Sequence, residues 1–220
     1  MSNVKSKQIY LILAALMPFT SFNVAAETSG EFEISPRLNI VGSSGKPTND
    51  VLGYGVTIHR KMNDEWYMGI SLDHSPSFDF ERTPRIVGIS QDPAVKTIDA
   101  KGTMTMITLL AERRYPGESD NIKWFWNLGA GVNDVKVDDV RGPVEGGGTF
   151  DIVTSTDTEV VLLGGAGLIH DFSEAWSARY EITAEHHSAD WKVMDRVSGN
   201  TATIDDYAIY GVRVGMTYRF

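Results

Sequence analysis

The last eleven residues, 210–220 (YGVRVGMTYRF), alternate strictly between large apolar side chains and small or polar ones. Because successive side chains of a β-strand point to opposite faces, this pattern predicts a strand with one apolar and one polar face. Helical periodicity is scarce from residue 27 onward, so the alternation limits the chain to sheet structures. The apolar face of this last strand carries Tyr210, Val212, Val214, Met216, Tyr218 and Phe220.

The same reasoning predicts eight strands, joined by connections that alternate in length. Short turns at one end and long polar loops at the other are typical of a transmembrane β-barrel, whereas a Greek-key sandwich would not alternate so regularly. The predicted fold class is all-β, an eight-stranded antiparallel up-and-down transmembrane β-barrel. The strands lie at about 31–41, 51–60, 65–74, 102–115, 122–136, 157–172, 176–190 and 205–220. The short connections are 61–64, 116–121 and 173–175, and the long ones are 42–50, 75–101, 137–156 and 191–204.

Composition fits such a barrel and excludes several other classes. The mean hydropathy is only −0.17, as expected when every second side chain faces a polar lumen and the others face lipid. The chain has no cysteine, which excludes disulfides, thiolate metal sites and cysteine nucleophiles. A net charge of −9 argues against a nucleic-acid partner. We expect no cofactor and no metal site, since phosphate-binding and dinucleotide-binding motifs are missing and His186 and His187 point to opposite faces of a strand.

Residues 1–26 predict a secretory signal peptide that is cleaved on maturation. Lys5 and Lys7 precede an apolar run at 9–17, and small residues at 24–26 precede the expected cleavage site. The alternative is an N-terminal membrane anchor, which the shortness of the apolar run disfavours. We therefore expect one barrel domain at 27–220, crossing the outer membrane of a Gram-negative cell several times.

Six aromatic residues stand at strand ends beside the short turns, on the outward parity. At one common height they predict an aromatic girdle at the periplasmic interface. The alternative is that the tryptophans fill a core. A final phenylalanine also resembles the C-terminal signature by which barrel proteins are handed to the outer-membrane assembly machinery, which implies that machinery as a partner. The six residues are Trp66, Trp124, Trp126, Trp176, Tyr218 and Phe220.

Charged residues occupy the parity that faces the lumen. Eight strands enclose an interior just wide enough for side chains to fill, and unpaired charges there would be costly. We therefore expect a plugged lumen, with an Arg–Glu network around Arg179, Glu181 and Arg213. The parity of strand 102–115 is open; Glu112 and Arg114 join the network if they face inward. The other lumen charges are Glu33, Arg37, Asp73, Glu185 and Arg219.

Two segments give the chain a resemblance to a known family. Residues 167–181 (GLIHDFSEAWSARYE) contain a glycine, a short turn and an Arg-x-Glu pattern, and residues 126–133 (WNLGAGVN) contain a Gly-x-Gly strand. In these features the chain resembles small eight-stranded outer-membrane proteins, in particular the transmembrane domain of outer membrane protein A and its relatives. The resemblance implies that Arg179 and Glu181 are lumenal.

The expected role of such a protein is structural, or interaction at the cell surface through its outer loops. The loops at 75–101 and 137–156 are the best candidates for contact with a surface ligand. Outer-membrane lipids and lipopolysaccharide are the other expected partners. Family members have diverse roles, so the resemblance does not define one function.

A second hypothesis starts from residues 185–188 (EHHS), where His186 and Ser188 share the outward face. This pair resembles the His-x-Ser of the lipid A 3-O-deacylases, which are also eight-stranded barrels. The resemblance implies His186 as general base and Ser188 as nucleophile, and Asp206 would have to orient the histidine. The alternative is that the strand has left the membrane by His186 and that these are interfacial polar residues. Whether the chain is an enzyme stays open, with a non-enzymatic role favoured.

Overall fold

The computed structural model describes residues 32–43, 51–80, 100–143 and 148–220, and within these ranges the chain is all-β. The predicted signal peptide at 1–26 and most of the loops at 42–50 and 75–101 lie outside the described residues. No helix in the described ranges is long and apolar enough to cross a membrane. The strands are β1 (Phe32–Ser43), β2 (Val51–Lys61), β3 (Trp66–Phe80), β4 (Ala100–Pro116), β5 (Ile122–Val137), β6 (Val140–Pro143), β7 (Thr149–Ser155), β8 (Glu159–Asp171), β9 (Trp176–Ser188), β10 (Trp191–Asp195), β11 (Thr201–Ile204) and β12 (Tyr207–Arg219).

Eight of these strands close into an antiparallel barrel in the order β1-β12-β9-β8-β5-β4-β3-β2, which confirms the predicted fold class. Strand β1 pairs with β2 on one side and with β12 on the other. At the seam, Phe32 N donates to Phe220 O at 3.2 Å and Phe220 N donates to Phe32 O at 3.0 Å. Closure gives each of the eight described barrel strands a partner on both sides, which a sheet in lipid requires because no water is there to satisfy unpaired backbone groups.

The three short connections lie at one end of the barrel, which we call the turn end; the opposite end is the loop end. In the turn between β2 and β3, Asn63 Oδ1 accepts hydrogen bonds from the backbone N–H groups of Glu65 (3.0 Å) and Trp66 (2.9 Å). In the turn between β8 and β9, Ser173 Oγ accepts one from Trp176 N–H at 3.1 Å. Short polar side chains thus reverse the chain locally, as is usual for such turns.

The alternation of the sequence becomes an apolar outer face and a polar interior. In β9, Tyr180 and Ile182 point outward and are 48% and 65% exposed, whereas Arg179 and Glu181 point inward and are buried. Strand β4, whose parity the sequence left open, turns Glu112 inward and buries it fully. The barrel strands therefore present mainly apolar side chains to lipid, and most of their buried charged side chains point to the lumen.

The segments 137–156 and 191–204 were expected to be polar loops, but they contribute β6, β7, β10 and β11. These four strands form a second, open sheet in the order β11-β10-β7-β6, which we call the loop-end sheet. The inward parity of β9 continues past its end, so that alternate residues up to Asp195 stay buried. Short strands interrupted by glycine and aspartate carry too weak a periodicity to be recognised in the sequence alone.

The loop-end sheet and the adjoining barrel strands bury a common apolar core, which we call the loop-end cluster. At its centre Trp191 and Val193 of β10 are fully buried, as are Phe150 and Ile152 of β7 at 1% exposure. The barrel strands β2, β3, β4, β5 and β12 contribute further residues, and Ala189 comes from the connection between β9 and β10. The whole cluster consists of Val51, Phe78, Ala100, Val135, Val140, Phe150, Ile152, Ala189, Trp191, Val193, Tyr207 and Ile209.

Asp195 fastens the loop-end sheet at the turn between β10 and β11. Its carboxylate accepts backbone N–H groups of Asp151 and Ser198, both at 2.8 Å, and of Val197 at 3.3 Å. Burial by itself would raise the pKa of Asp195, but these hydrogen bonds outweigh burial and hold the pKa below its usual value. One side chain thus joins β7 to the β10–β11 turn and keeps that turn in a defined conformation.

Candidate functional site

The interior of the barrel is a stack of charged side chains, and it begins at the turn end with Glu33. Its carboxylate pairs with Arg114 Nη2 at 2.6 Å and with Arg219 Nε at 3.0 Å. Arg219 also contacts Asp171, whose other oxygen lies 2.9 Å from Lys123 Nζ. A pocket of about 670 Å³ opens at this end and reaches Arg114 and Arg219. The lowest layer of the interior is therefore held by ion pairs that join β1, β4, β8 and β12.

Glu112 occupies the next layer and is completely buried. It accepts hydrogen bonds from Arg114 Nε at 2.7 Å and from both terminal nitrogens of Arg179, one of them at 3.1 Å. His59 Nε2 lies 3.6 Å from the same carboxylate. The Arg114 guanidinium stacks on the ring of Tyr67 (3.5 Å to the centroid) and that of Arg179 on Phe125 (3.7 Å).

Asp73 organises the middle of the barrel. Arg37 Nη2 lies 2.6 Å from Asp73 Oδ2 and Nε lies 3.1 Å from Oδ1. Asn39 and Ser71 donate to the same carboxylate at 2.7 Å and 2.8 Å. Arg213 stands 3.7 Å from it on the other side. This carboxylate therefore draws charged and polar groups from β1, β3 and β12 into one layer.

Arg213 connects the middle layer to both of its neighbours, through Glu185 toward the loop end and through Glu181 toward the layer of Glu112. Its Nη2 lies 2.7 Å from Glu185 Oε1, and its Nη1 lies 4.0 Å from Glu181. Glu181 also approaches Arg179 Nε at 3.5 Å and accepts a hydrogen bond from Asn127 Nδ2 at 2.6 Å. The seven charged residues that the sequence assigned to the lumen network all lie in the interior and are buried to at least 93%: Glu33, Arg37, Glu112, Arg114, Arg179, Glu181 and Arg213.

A fourth layer was missed by the sequence-based prediction. Glu159 accepts hydrogen bonds from His187 Nδ1 (2.9 Å), from Asn133 Nδ2 (2.9 Å) and from the Tyr207 hydroxyl (3.0 Å). His187 Nε2 lies 3.3 Å from Glu185. The uniform apolar run at 160–163 concealed which face of β8 points inward, so Glu159 could not be placed. The alternation of β9 did carry a signal, because His187 shares the inward parity of Glu185.

Apolar side chains also occupy part of the interior. Met106 and Leu110 of β4 pack with Val161 and Leu163 of β8 in a buried cluster. A cavity of about 30 Å³ lies between the layer of Asp73 and Arg213 and the loop-end cluster. Val51 and Ile209 of the loop-end cluster line this cavity.

The six aromatic residues predicted as a girdle lie at the turn end with their rings toward the outside. Trp176 and Tyr218 are adjacent on neighbouring strands, with ring centroids 4.8 Å apart, and Phe220 lies 6.1 Å from Tyr218. Trp66 meets Trp126 edge-on at 5.5 Å. Trp124 is 53% exposed. The sequence-based prediction missed two further members of this band, Phe32 beside Phe220 and Tyr115, which accepts a hydrogen bond from Trp126 Nε1.

The residues of the deacylase hypothesis lie on the outer surface at the loop end. His186 Nε2 is 3.7 Å from Asp206 Oδ2, and both side chains are 55% exposed. Ser188 is exposed as well, but among the described residues no hydrogen bond joins it to His186. Same-face neighbours on a strand are about 6.6 Å apart, so a serine–histidine contact needs rotamers that lean toward each other. The described residues contain no group of three or more histidine, aspartate or glutamate side chains arranged to hold a metal ion.

A closed barrel with an apolar outer face, an aromatic band and an interior of paired charges defines the class of membrane-spanning β-barrels. The chain belongs to the family described as outer membrane protein beta-barrel domain, whose profile matches residues 11–220. This membership confirms the resemblance to small outer-membrane barrels and implies residence in an outer membrane. No match was found among curated protein sequences.

Solved structures share the fold at low sequence identity. Neisserial surface protein A superposes with a TM-score of 0.55 at 11% identity, covering 88% of this chain and 98% of the other. A major outer membrane protein from Thermus thermophilus gives 0.56 at 11% identity, covering 88% and 100%. The outer membrane protein OprG from Pseudomonas aeruginosa gives 0.53 at 14% identity, covering 87% and 96%. These likenesses establish the common fold and nothing beyond it.

Replacing Glu112 by glutamine tests how much the buried ion pairs contribute to stability. The substitution leaves the guanidinium groups of Arg114 and Arg179 facing a neutral amide, and breaking a buried pair in this way costs about 3–5 kcal/mol. We expect the free energy of unfolding, measured by urea titration in lipid vesicles, to fall by that amount. The control is Glu65→Gln, which breaks an exposed pair with Arg113 and should leave it almost unchanged, because water screens that pair. Equal losses in both variants would contradict the prediction.

Proposed function

We propose that the chain is an integral outer-membrane barrel with a closed lumen that acts through contacts at its loop end, as a structural or surface-interaction protein. The observation that carries the proposal is the loop-end cluster, which packs Trp191, Phe150 and Ile152 across the mouth of the barrel. An apolar layer of this kind opposes the entry of ions, because an ion would have to give up its water of hydration.

The interior below the cluster supports the same conclusion. Four layers of ion pairs and hydrogen bonds occupy the space between the strands, and eight strands leave little room beyond their own side chains. Each arginine of these layers has at least one carboxylate within 4.0 Å. Opening a path for solutes would require several of these pairs to separate together.

Planar-bilayer recordings test the closed lumen. We expect purified, folded protein to give no stable conductance steps at neutral pH, since both the apolar cluster and the ion-pair layers obstruct the lumen. Reconstitution should be verified in the same sample by heat-modifiable mobility on a detergent gel. Stable, uniform open-channel steps from folded protein would overturn the closed lumen and favour a solute-conducting role.

The outer surface of the loop-end sheet is the proposed contact area. It exposes Met194 (42%) and Val197 (59%) beside Lys192 and Arg196, of which Arg196 is paired with Asp139 at 3.4 Å and with Asp151 at 3.5 Å. The turn that carries Val197 is held by Asp195, so these side chains are presented on a rigid support. Rigid apolar side chains beside the cationic Lys192 suit contact with anionic molecules such as lipopolysaccharide or with a surface ligand. Phe220 remains the proposed contact of the assembly machinery, and residues 1–26 the proposed export signal.

The absence of cysteine allows a direct test of orientation. We expect Lys192→Cys to react with a membrane-impermeant maleimide on intact Gram-negative cells, because β10 lies at the loop end. Asp64→Cys is the matched control: its side chain is 99% exposed in a turn at the other end, so it should react only after the outer membrane is permeabilised. The reverse labelling pattern would place the loop-end sheet in the periplasm and overturn the proposed surface role.

A second candidate function is the hydrolysis of lipid A acyl esters at His186, Ser188 and Asp206. The observation that favours it is the 3.7 Å approach of His186 to Asp206 on the outward face. If the candidate is correct, mass spectrometry of lipid A should reveal the loss of one acyl chain in cells with the wild-type protein and none with Ser188→Ala. Identical lipid A in both strains and in cells without the protein would exclude this activity.

A further inference from the structure

His187 lies at the boundary between the charged layers and the loop-end cluster, and it is 1% exposed. Both ring nitrogens face carboxylates, Nδ1 that of Glu159 at 2.9 Å and Nε2 that of Glu185 at 3.3 Å. A neutral imidazole has only one N–H and an ionised carboxylate accepts but cannot donate. Both contacts are hydrogen bonds only when the ring carries two protons, so the geometry fits an imidazolium.

The balance of charge in the four layers agrees with this assignment. Among the described residues, these layers contain seven carboxylates, and five arginines and Lys123 contact them, so a protonated His187 supplies the seventh positive charge. The carboxylates are those of Glu33, Asp73, Glu112, Glu159, Asp171, Glu181 and Glu185. The arginines are Arg37, Arg114, Arg179, Arg213 and Arg219.

The two carboxylates beside His187 are not equivalent. Glu185 is also paired with Arg213 at 2.7 Å, whereas the other described partners of Glu159 are the uncharged donors Asn133 and Tyr207. If His187 loses a proton, Glu185 keeps a counter-ion and Glu159 does not. Glu159 is therefore the group whose burial depends on the protonation of His187.

Among the described residues, the other charged and titratable groups around the ring come from two further strands, β12 and β3. Tyr207 and Arg213 approach from β12, and Asp73 of β3 lines the small cavity next to His187. From β4 that cavity is lined by methionines, and from β5 the nearby polar group is the neutral Asn133. Arg213 is already paired with Glu185, so none of these described groups supplies a positive charge to Glu159 once His187 is neutral.

Tyr207 links this polar layer to the loop-end cluster. Its ring stacks on His187 with centroids 4.7 Å apart and an interplanar angle of 11°, and its hydroxyl donates to Glu159. The Tyr207 ring also meets Trp191 edge-on, with the ring centroids 5.6 Å apart. Movement of Glu159 and His187 would therefore displace Tyr207, which packs against Trp191 at the centre of the cluster.

We propose that His187 is a pH-sensitive latch: its imidazolium holds the loop-end cluster against the barrel, and loss of its proton at alkaline pH releases the cluster. The physical cause is the buried charge of Glu159, which is costly once it has no counter-ion. The carboxylate then draws in water or moves toward it, and the edge-on contact between Tyr207 and Trp191 loosens. The charged layers nearer the turn end keep their own partners.

Fluorine NMR on protein labelled with 5-fluorotryptophan follows the cluster directly. The chain has five tryptophans: Trp191 reports on the cluster and the four girdle tryptophans serve as an internal reference. In wild-type protein in lipid nanodiscs, a titration from about pH 5 to about pH 10 covers the range in which histidine loses its proton. We expect the solvent-isotope shift of the Trp191 fluorine to rise from near zero to that of the girdle tryptophans, whose own signals stay constant.

His187→Gln should give the alkaline position of the Trp191 signal at every pH, because glutamine is neutral and leaves Glu159 unpaired throughout. His170→Gln is the control, since it removes an exposed histidine of β8 and should titrate like the wild type. Trp191→Phe assigns the signal. A Trp191 signal that is constant in the wild type, or that titrates equally in His187→Gln, contradicts the proposal that His187 controls the cluster.

Nitrogen-15 labelling of histidine in the wild-type protein keeps the test decisive even if His187→Gln does not fold. We expect two protonated ring nitrogens on His187 at acid and neutral pH, and loss of one proton in the same pH range in which the Trp191 signal moves. A His187 ring with a single N–H throughout, or a ring that titrates while Trp191 stays unmoved, refutes the proposal.

Discussion

Closure of the sheet is the constraint on which the rest of this structure depends. In hydrocarbon no water can satisfy a strand edge, so β1 must pair with β12 as well as with β2. Once the sheet is closed, its pleat sends alternate side chains to lipid and to a narrow interior. The outer face can then be apolar throughout, and all remaining polarity is confined to a space with room for little besides side chains.

Charged side chains in this narrow interior are paired with opposite charges, and the pairs form layers along the barrel. Arginines on β1, β4, β9 and β12 reach carboxylates on other strands, so each pair also ties strands together across the lumen. The rings of Tyr67 and Phe125 stack on the guanidinium groups of Arg114 and Arg179 and fill the space beside them. A buried pair contributes to stability mainly because either partner alone would be so unfavourable, and the interior is therefore sensitive to the loss of any single member.

The loop end follows a different principle. There the strands rise above the apolar outer belt, and the inward side chains change from charged to apolar at Ala189, Trp191 and Val193. The loop-end sheet covers these residues and supplies Phe150 and Ile152 from β7. His187, Glu159 and Tyr207 lie where the two kinds of interior meet, so a change of charge at this level can be transmitted to the packing above it.

The sequence alone determined the barrel, its strand count, the inward or outward parity of most strands and the aromatic positions at the turn end. It could do so because period-two alternation sustained over ten or more residues is typical of a β-strand with two unlike faces. It did not determine the loop-end sheet, whose strands have only four to seven residues. These strands are stabilised by a cluster that joins residues far apart in the chain, such as Val51 and Trp191. Nor did it place Glu159, because the apolar run that follows it has no alternation and only pairing with β5 and β9 decides which face of β8 turns inward. Partners of buried charges are likewise a tertiary property, since Arg114 and Glu33 meet across the lumen from strands that are not neighbours.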